Sequence, residues 1–157
     1  MRYPFILHVL GALICSVGLT MLFPIAWGFY YNDAGLMPLV HGASITLGMG
    51  ILMILIFRKP EDMVMNHREG MTIVAMGWLL AGLCGAIPFF LGDVFGEKGL
   101  SALTSSVFES LSGFTTTGSS VMTNIEGVPL SLLMWRSLTH WLGGMGIIVL
   151  SLAILPF

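Results

Sequence analysis

The sequence predicts an all-α integral membrane protein: an amino-terminal transmembrane hairpin, followed by one unit of span, short helix, hydroxyl-rich strand and span. Three observations predict it. Of the 157 residues, 56% are hydrophobic and only 9% charged, whereas a soluble domain carries about 25% charged residues. Apolar runs long enough to cross a bilayer recur along the chain. Between the last two of them lies a segment too short and too polar to cross.

A crossing helix needs about 20 apolar residues, because the helix rises about 1.5 Å per residue and the hydrocarbon core is about 30 Å thick. The first run covers residues 5–29. With Arg2 ahead of it, this stretch invites reading as a signal peptide, but it far exceeds the 7–15 residues or so of a signal-peptide apolar core, so it is read as a span. The second run covers 38–57, and Pro38 suits the first turn of a helix. The turn between them, Tyr30-Tyr31-Asn32-Asp33-Ala34-Gly35, has aromatic residues suited to the headgroup level, with Trp27 nearby. Residues 1–57 therefore form the hairpin. Residues 58–69 hold the densest charge, Arg58-Lys59-Pro60-Glu61-Asp62 and Arg68-Glu69, and read as a loop. Residues 70–92 form the third span and 130–157 the fourth.

Arg2, Arg58, Lys59 and Arg68 fall on one side of the membrane in this topology, against Lys98 and Arg136 on the other. Basic residues favour the cytoplasm. The amino terminus and the 58–69 loop are expected inside, and residues 30–36 and 92–100 outside. The net charge of -2 and the absence of a basic cluster give no nucleic-acid footprint. Cys15 and Cys84 both lie inside apolar runs and are expected as free thiols.

Residues 101–113 are amphipathic, with Leu103, Val107, Phe108 and Leu111 at helical spacing. A helix of that length covers about 20 Å, which is too short to span. Residues 114–120, Phe-Thr-Thr-Thr-Gly-Ser-Ser, then favour an extended strand. A half-length helix and a polar strand between two spans fit a re-entrant segment. The alternative is a surface helix followed by an ordinary outer loop. Non-helical backbone at membrane depth has to be shielded by protein or face water, so the re-entrant reading implies a pore.

Carbonyl rings can replace the hydration shell of potassium. Thr115, Thr116 and Thr117 supply carbonyls and hydroxyls, and Gly118 permits backbone angles closed to other residues. The absence of a carboxylate in 114–120 suits a weakly hydrated monovalent ion better than calcium or magnesium. One such strand cannot surround an ion, and residues 1–98 contain no second. Glu109 is a costly charge unless paired or wetted; it either anchors the strand or attracts cations. Arg136 either snorkels to the headgroups or pairs with Glu109. Gly143, Gly144 and Gly146 permit close helix packing, or a gating bend. His140 is expected to be packed and hydrogen-bonded rather than a ligand. Asp33, Asp93 and Glu97 are expected to be outer-loop charges that favour cations at an entrance. No phosphate loop, zinc spacing or nucleophile triad is visible, so neither a cofactor nor an enzyme is expected.

The run Phe108-Glu109-Ser110-Leu111-Ser112-Gly113-Phe114-Thr115-Thr116-Thr117-Gly118 closely resembles the first pore segment of the Trk-type bacterial potassium-uptake membrane subunit, the TrkH family. So does the run from Trp135-Arg136-Ser137 through Gly143-Gly144-Met145-Gly146 to Leu150. Arg68-Glu69-Gly70, Trp78 and Gly85-Ala86-Ile87-Pro88-Phe89 fit as well. The resemblance implies a fold of four span–pore helix–filter–span repeats around one pore, preceded by an extra hairpin. Residues 1–57 then match that hairpin and 70–157 the first repeat, with pore helix 101–113 and filter 114–120. Thr115, Thr116 and Thr117 match the strand leading into the filter glycine, Gly118.

The resemblance also implies potassium as the transported substrate, a homodimer in the cytoplasmic membrane, and a cytoplasmic nucleotide-binding regulatory subunit. Because three repeats are lacking, the chain is expected to be an incomplete amino-terminal portion or a truncated product. The competing reading is a non-transporting remnant or an assembly module.

Overall fold

The computed structural model describes residues 2–57 and 67–154, with the side chains of 2–57 and 68–148. Six α-helices follow one another: α1 (Tyr3–Thr20), α2 (Leu22–Tyr31), α3 (Leu36–Ile56), α4 (His67–Leu91), α5 (Leu100–Phe114) and α6 (Leu130–Ile154), with a short 3₁₀ turn at Ile125–Gly127. Among the described residues there is no strand.

The first run is one membrane-length helical segment, Tyr3–Tyr31, interrupted at Met21. Pro24 explains the interruption. It has no N–H to give the Thr20 carbonyl, and its ring crowds that carbonyl. Helical bonding resumes with Ile25 N–H donating to Met21 O at 3.1 Å. The segment ends where Asn32 turns left-handed, with φ 50°. α3 and Arg68–Leu91 are also long and apolar enough to cross a membrane. α6 has the same 25 residues as α4, about 37 Å of helix, and its last side chains lie outside the described set. α4 begins at His67, so residues 67–69 form its first turn rather than the end of a loop. The rest of the expected loop, 58–66, lies outside the described residues.

α1 and α3 pack antiparallel. His8 Nδ1 lies 2.7 Å from the Phe57 carbonyl, Gly11 faces Gly50 and Met53, and Gly18 faces Leu47. The glycines let the two backbones approach, which is how membrane helices gain packing without a hydrophobic drive. Cys15, a free thiol, lies against Gly50. α3 meets α4 where Gly42 abuts Pro88.

Two ties bind distant segments at opposite ends of the bundle. Arg2 grips the buried Glu69 with its side chain at 2.9 and 3.3 Å and with its backbone N–H at 2.9 Å. At the other end, Asp33 accepts the Ser131 N–H and hydroxyl, each at 2.7 Å. The main core lies between them: Met21, Leu39, Phe89, Phe114, Leu132 and Trp135 are all buried within it. The outer faces of α2 and α3 leave Phe23, Phe29, Tyr30, Leu52 and Leu55 exposed, as lipid or protein neighbours in a bilayer require.

Candidate functional site

α5 is the short amphipathic helix, and its contacts fix its depth. Gly92, just past the end of α4, packs on Leu132 near the start of α6, so those two helix ends lie together. The far end of α5 sits well below them. Ser110 and Phe114 fill the space beside Gly85, and Leu111 that beside Gly82. Those glycines are six and nine residues into α4 from Leu91, about 9 and 14 Å. On α6, Gly113 meets Thr139 and Gly143 meets the Phe114 carbonyl. The helix therefore stops between about a quarter and a half of the way along its two neighbours. Trp135 locks this junction, donating Nε1–H to the Gly85 carbonyl at 2.9 Å and standing edge-on to Phe114.

Residues 114–117 differ from the expected extended strand. Phe114 is still helical. Thr116 N–H donates to Gly113 O at 2.9 Å and Thr117 N–H to Ser112 O at 3.0 Å. This paired 5→2 and 6→1 bonding is a Schellman end, which needs a left-handed residue at the first position past the cap. Thr116 fills that position at φ 55°. Glycine is the usual occupant and a β-branched residue is an outlier there. The β-branched composition that predicts extension is thus overridden by satisfaction of the last helical carbonyls. Gly118 has φ 77°, in the region that favours glycine.

From Thr115 to Ser120 every residue is exposed. The Thr115 and Thr117 hydroxyls lie 2.8 Å apart, beside a cavity of about 270 Å³ also lined by Ser112 and Ser119. Among the described residues no protein donor reaches the carbonyls of Thr116, Thr117 or Gly118. The negative end of the α5 dipole points into the same region. The result is a group of neutral oxygens past the end of α5, three of them carbonyls with no protein donor among the described residues, a donor set suited to a monovalent cation.

Glu109 holds the return of this loop. It is fully buried and accepts the Ser120 hydroxyl at 3.0 Å, Val121 N–H at 3.1 Å and Arg136 Nε–H at 2.6 Å. Arg136 therefore pairs with Glu109, one of the two roles the sequence left open. Gly143 admits the α5 backbone, whereas a Cβ at Gly144 would meet nothing closer than Thr116 Cγ2 at 3.8 Å, and Gly146 faces Trp78. α6 continues as one helix through all three. His140 lies beside Gly113, with its Nε2 buried and without a hydrogen-bond partner among the described residues, so that nitrogen departs from the expected hydrogen-bonded packing.

Sequence reasoning missed Asp33, placing it as a loop charge. It is instead the cap of a helix 98 residues away. The local signal was present, since its carboxylate also accepts Gly35 N–H at 3.0 Å, an Asx turn readable from Asp-Ala-Gly. The distant partner was not readable.

Comparison with known proteins places this geometry. A chain similar to this one is the Trk system potassium uptake protein TrkH of Halomonas elongata, 42% identical over 151 residues, 96% of this chain and 30% of that protein. The Escherichia coli K12 protein of the same description is 34% identical over 99% of this chain and 31% of its own length. Among solved structures, the potassium transporter TrkH from Vibrio parahaemolyticus superposes over the whole chain and 32% of its own, with TM-score 0.89 and 32% identity. The chain thus spans about 30% of the length of its curated relatives. The family model described as TrkH, cation transport protein, matches residues 37–157, and the chain belongs to that family of cation transporters, which are not enzymes.

Proposed function

We propose that the protein conducts potassium across the cytoplasmic membrane within a Trk-type uptake system. This chain supplies the amino-terminal transmembrane hairpin (1–57) and the first span–pore helix–filter–span repeat (70–157). α5 is the pore helix, and Thr115, Thr116, Thr117 and Gly118 contribute one side of the potassium filter. The observation that carries this reading is the end of α5 part-way along α4 and α6, with the exposed residues 115–118 beyond it.

One loop covers only part of an ion's shell. Three further repeats of the same full-length chain complete the ring, in keeping with the 30% coverage of relatives named as potassium uptake proteins. Glu109 and Arg136 hold the filter loop, and Gly143 seats the α5 end. The subunit works as a homodimer with a cytoplasmic nucleotide-binding regulator. The amino terminus is cytoplasmic, supported by the basic residues at Arg2 and Arg68 and by the Arg2–Glu69 tie, which puts both on one side.

Potassium uptake in uptake-deficient cells expressing the gene from its native locus tests this, with the mass of the product recorded. Uptake that loses its preference for potassium over sodium in Gly118→Ala supports the filter assignment, since alanine at that φ costs about 1–2 kcal/mol. Uptake by a product of only 157 residues replaces the four-repeat chain with an oligomeric pore. No uptake from a correctly inserted product favours the non-transporting module.

A further inference from the structure

The extra hairpin is joined to the pore repeat through one carboxylate. Asp33, in the turn between α2 and α3, accepts the N–H and the hydroxyl of Ser131, both at 2.7 Å. Ser131 is fully buried. Its backbone N–H is one of those that the first turn of α6 cannot satisfy from within the helix. Pro129, preceding α6, offers no side-chain acceptor, so the cap comes from the hairpin. The seat is built for it. Gly35 leaves the space that the Ser131 hydroxyl enters, and Gly28 packs on Ser131 Cβ.

From Ser131 the next turn of α6 is rigidly held. Leu132 and Trp135 are fully buried, and Trp135 is bonded to Gly85. Arg136 then carries the connection to Glu109 and, through Glu109, to Ser120 and Val121. Five residues of helix, a rise of about 7.5 Å, separate Ser131, which the hairpin's carboxylate holds, from Arg136.

We propose that Asp33 is a positioning residue for the filter: the hairpin sets the height and rotation of α6, and thereby the placement of residues 117–121. This rests on the potassium-transport reading for its functional consequence, but not for its mechanics. Asp33 touches no ion; it acts through Ser131 and Arg136.

The test compares the wild-type full-length transporter with Asp33→Asn and Asp33→Ala, in membranes and purified. Amide exchange is read over residues 117–123 and 130–138, and potassium and sodium uptake are measured at matched membrane abundance. Loss of a charge-assisted cap is expected to speed exchange about ten-fold in both segments, and to lower the preference for potassium several-fold. Faster exchange confined to 130–138, with preference unchanged, would make Asp33 a simple helix cap and overturn the proposal. If Asp33→Ala does not accumulate, Ser131→Ala, which removes only the hydroxyl bond, is read by the same two criteria. If the wild type takes up no potassium, the transport reading fails, while the exchange at 117–123 still decides whether Asp33 positions the loop.

Discussion

Glu109 concentrates the chemistry of the site in one side chain. A carboxylate with no exposure survives only when its charge is met, and Arg136, Ser120 and Val121 meet it. Removing one partner of a buried pair costs about 3–5 kcal/mol, whereas replacing both with apolar groups can be nearly neutral. Glu109→Ala is expected to lower the stability of the purified protein by about 3 kcal/mol. Glu109→Leu with Arg136→Met should lie closer to wild type than either single change in thermal melting; strictly additive losses would refute the pairing. Glu97 presents the exposed counterpart. Hydrogen bonds from Ser101 and Ser105 hold its carboxyl below the ordinary value of 4.5. A depressed carboxylate stabilises above its unfolded pKa, and that contribution disappears as pH falls through the folded value. The clasp at the start of α5 is therefore present at neutral pH and released in acid below about that ordinary value. Amide exchange at residues 100–105, relative to intrinsic rates, should rise on acidification in wild type and show no such step in Glu97→Gln.

At the scale of elements, the junction of α5 with α6 separates three glycines that look equivalent in sequence. A methyl at Gly143 would meet the Phe114 carbonyl, which belongs to backbone and cannot rotate away, while at Gly144 the nearest atom is 3.8 Å off. Gly143→Ala should cost about 1–3 kcal/mol and impair uptake, whereas Gly144→Ala should leave melting unchanged or raise it by up to about 1 kcal/mol of helix propensity; equal effects would show that the glycines act through helix propensity alone. Thr116 offers the opposite prospect. Its left-handed φ of 55° costs a β-branched residue about 1–2 kcal/mol, so Thr116→Gly is expected to raise the melting temperature. The helices themselves were legible because hydropathy and length are local properties. The Schellman end was not, because Thr115-Thr116-Thr117 signals extension by composition, and only the pairing of the Ser112 and Gly113 carbonyls with Thr117 and Thr116 N–H decides otherwise. The Glu109–Arg136 pair was legible as one of two options; choosing between them required the depth of α5, a tertiary quantity.

The whole molecule is fastened at both ends and leaves its middle to glycine-mediated packing. Arg2 with Glu69 closes one end, and Asp33 with Ser131 the other. These ties place residues 2 and 69 together at one end of the bundle, and residues 33 and 131 together at the other. The proposed cytoplasmic face is the one that carries the basic residues near Arg68. If α5 and its loop enter and leave from the outer face, Tyr30 and Glu126 lie outside together and Arg68 lies inside. All three are exposed, so single cysteines at these positions, in a background with Cys15 and Cys84 replaced by alanine, can report by labelling. A membrane-impermeant maleimide applied to intact cells is expected to label Tyr30→Cys and Glu126→Cys, and to reach Arg68→Cys only after permeabilisation. The inverse pattern would reverse the orientation and leave the fold intact. Labelling of Tyr30→Cys and Glu126→Cys from opposite sides would be more damaging. It would make α5 and its loop a crossing rather than a re-entrant segment, and would remove the support for Thr115–Gly118 as the proposed filter.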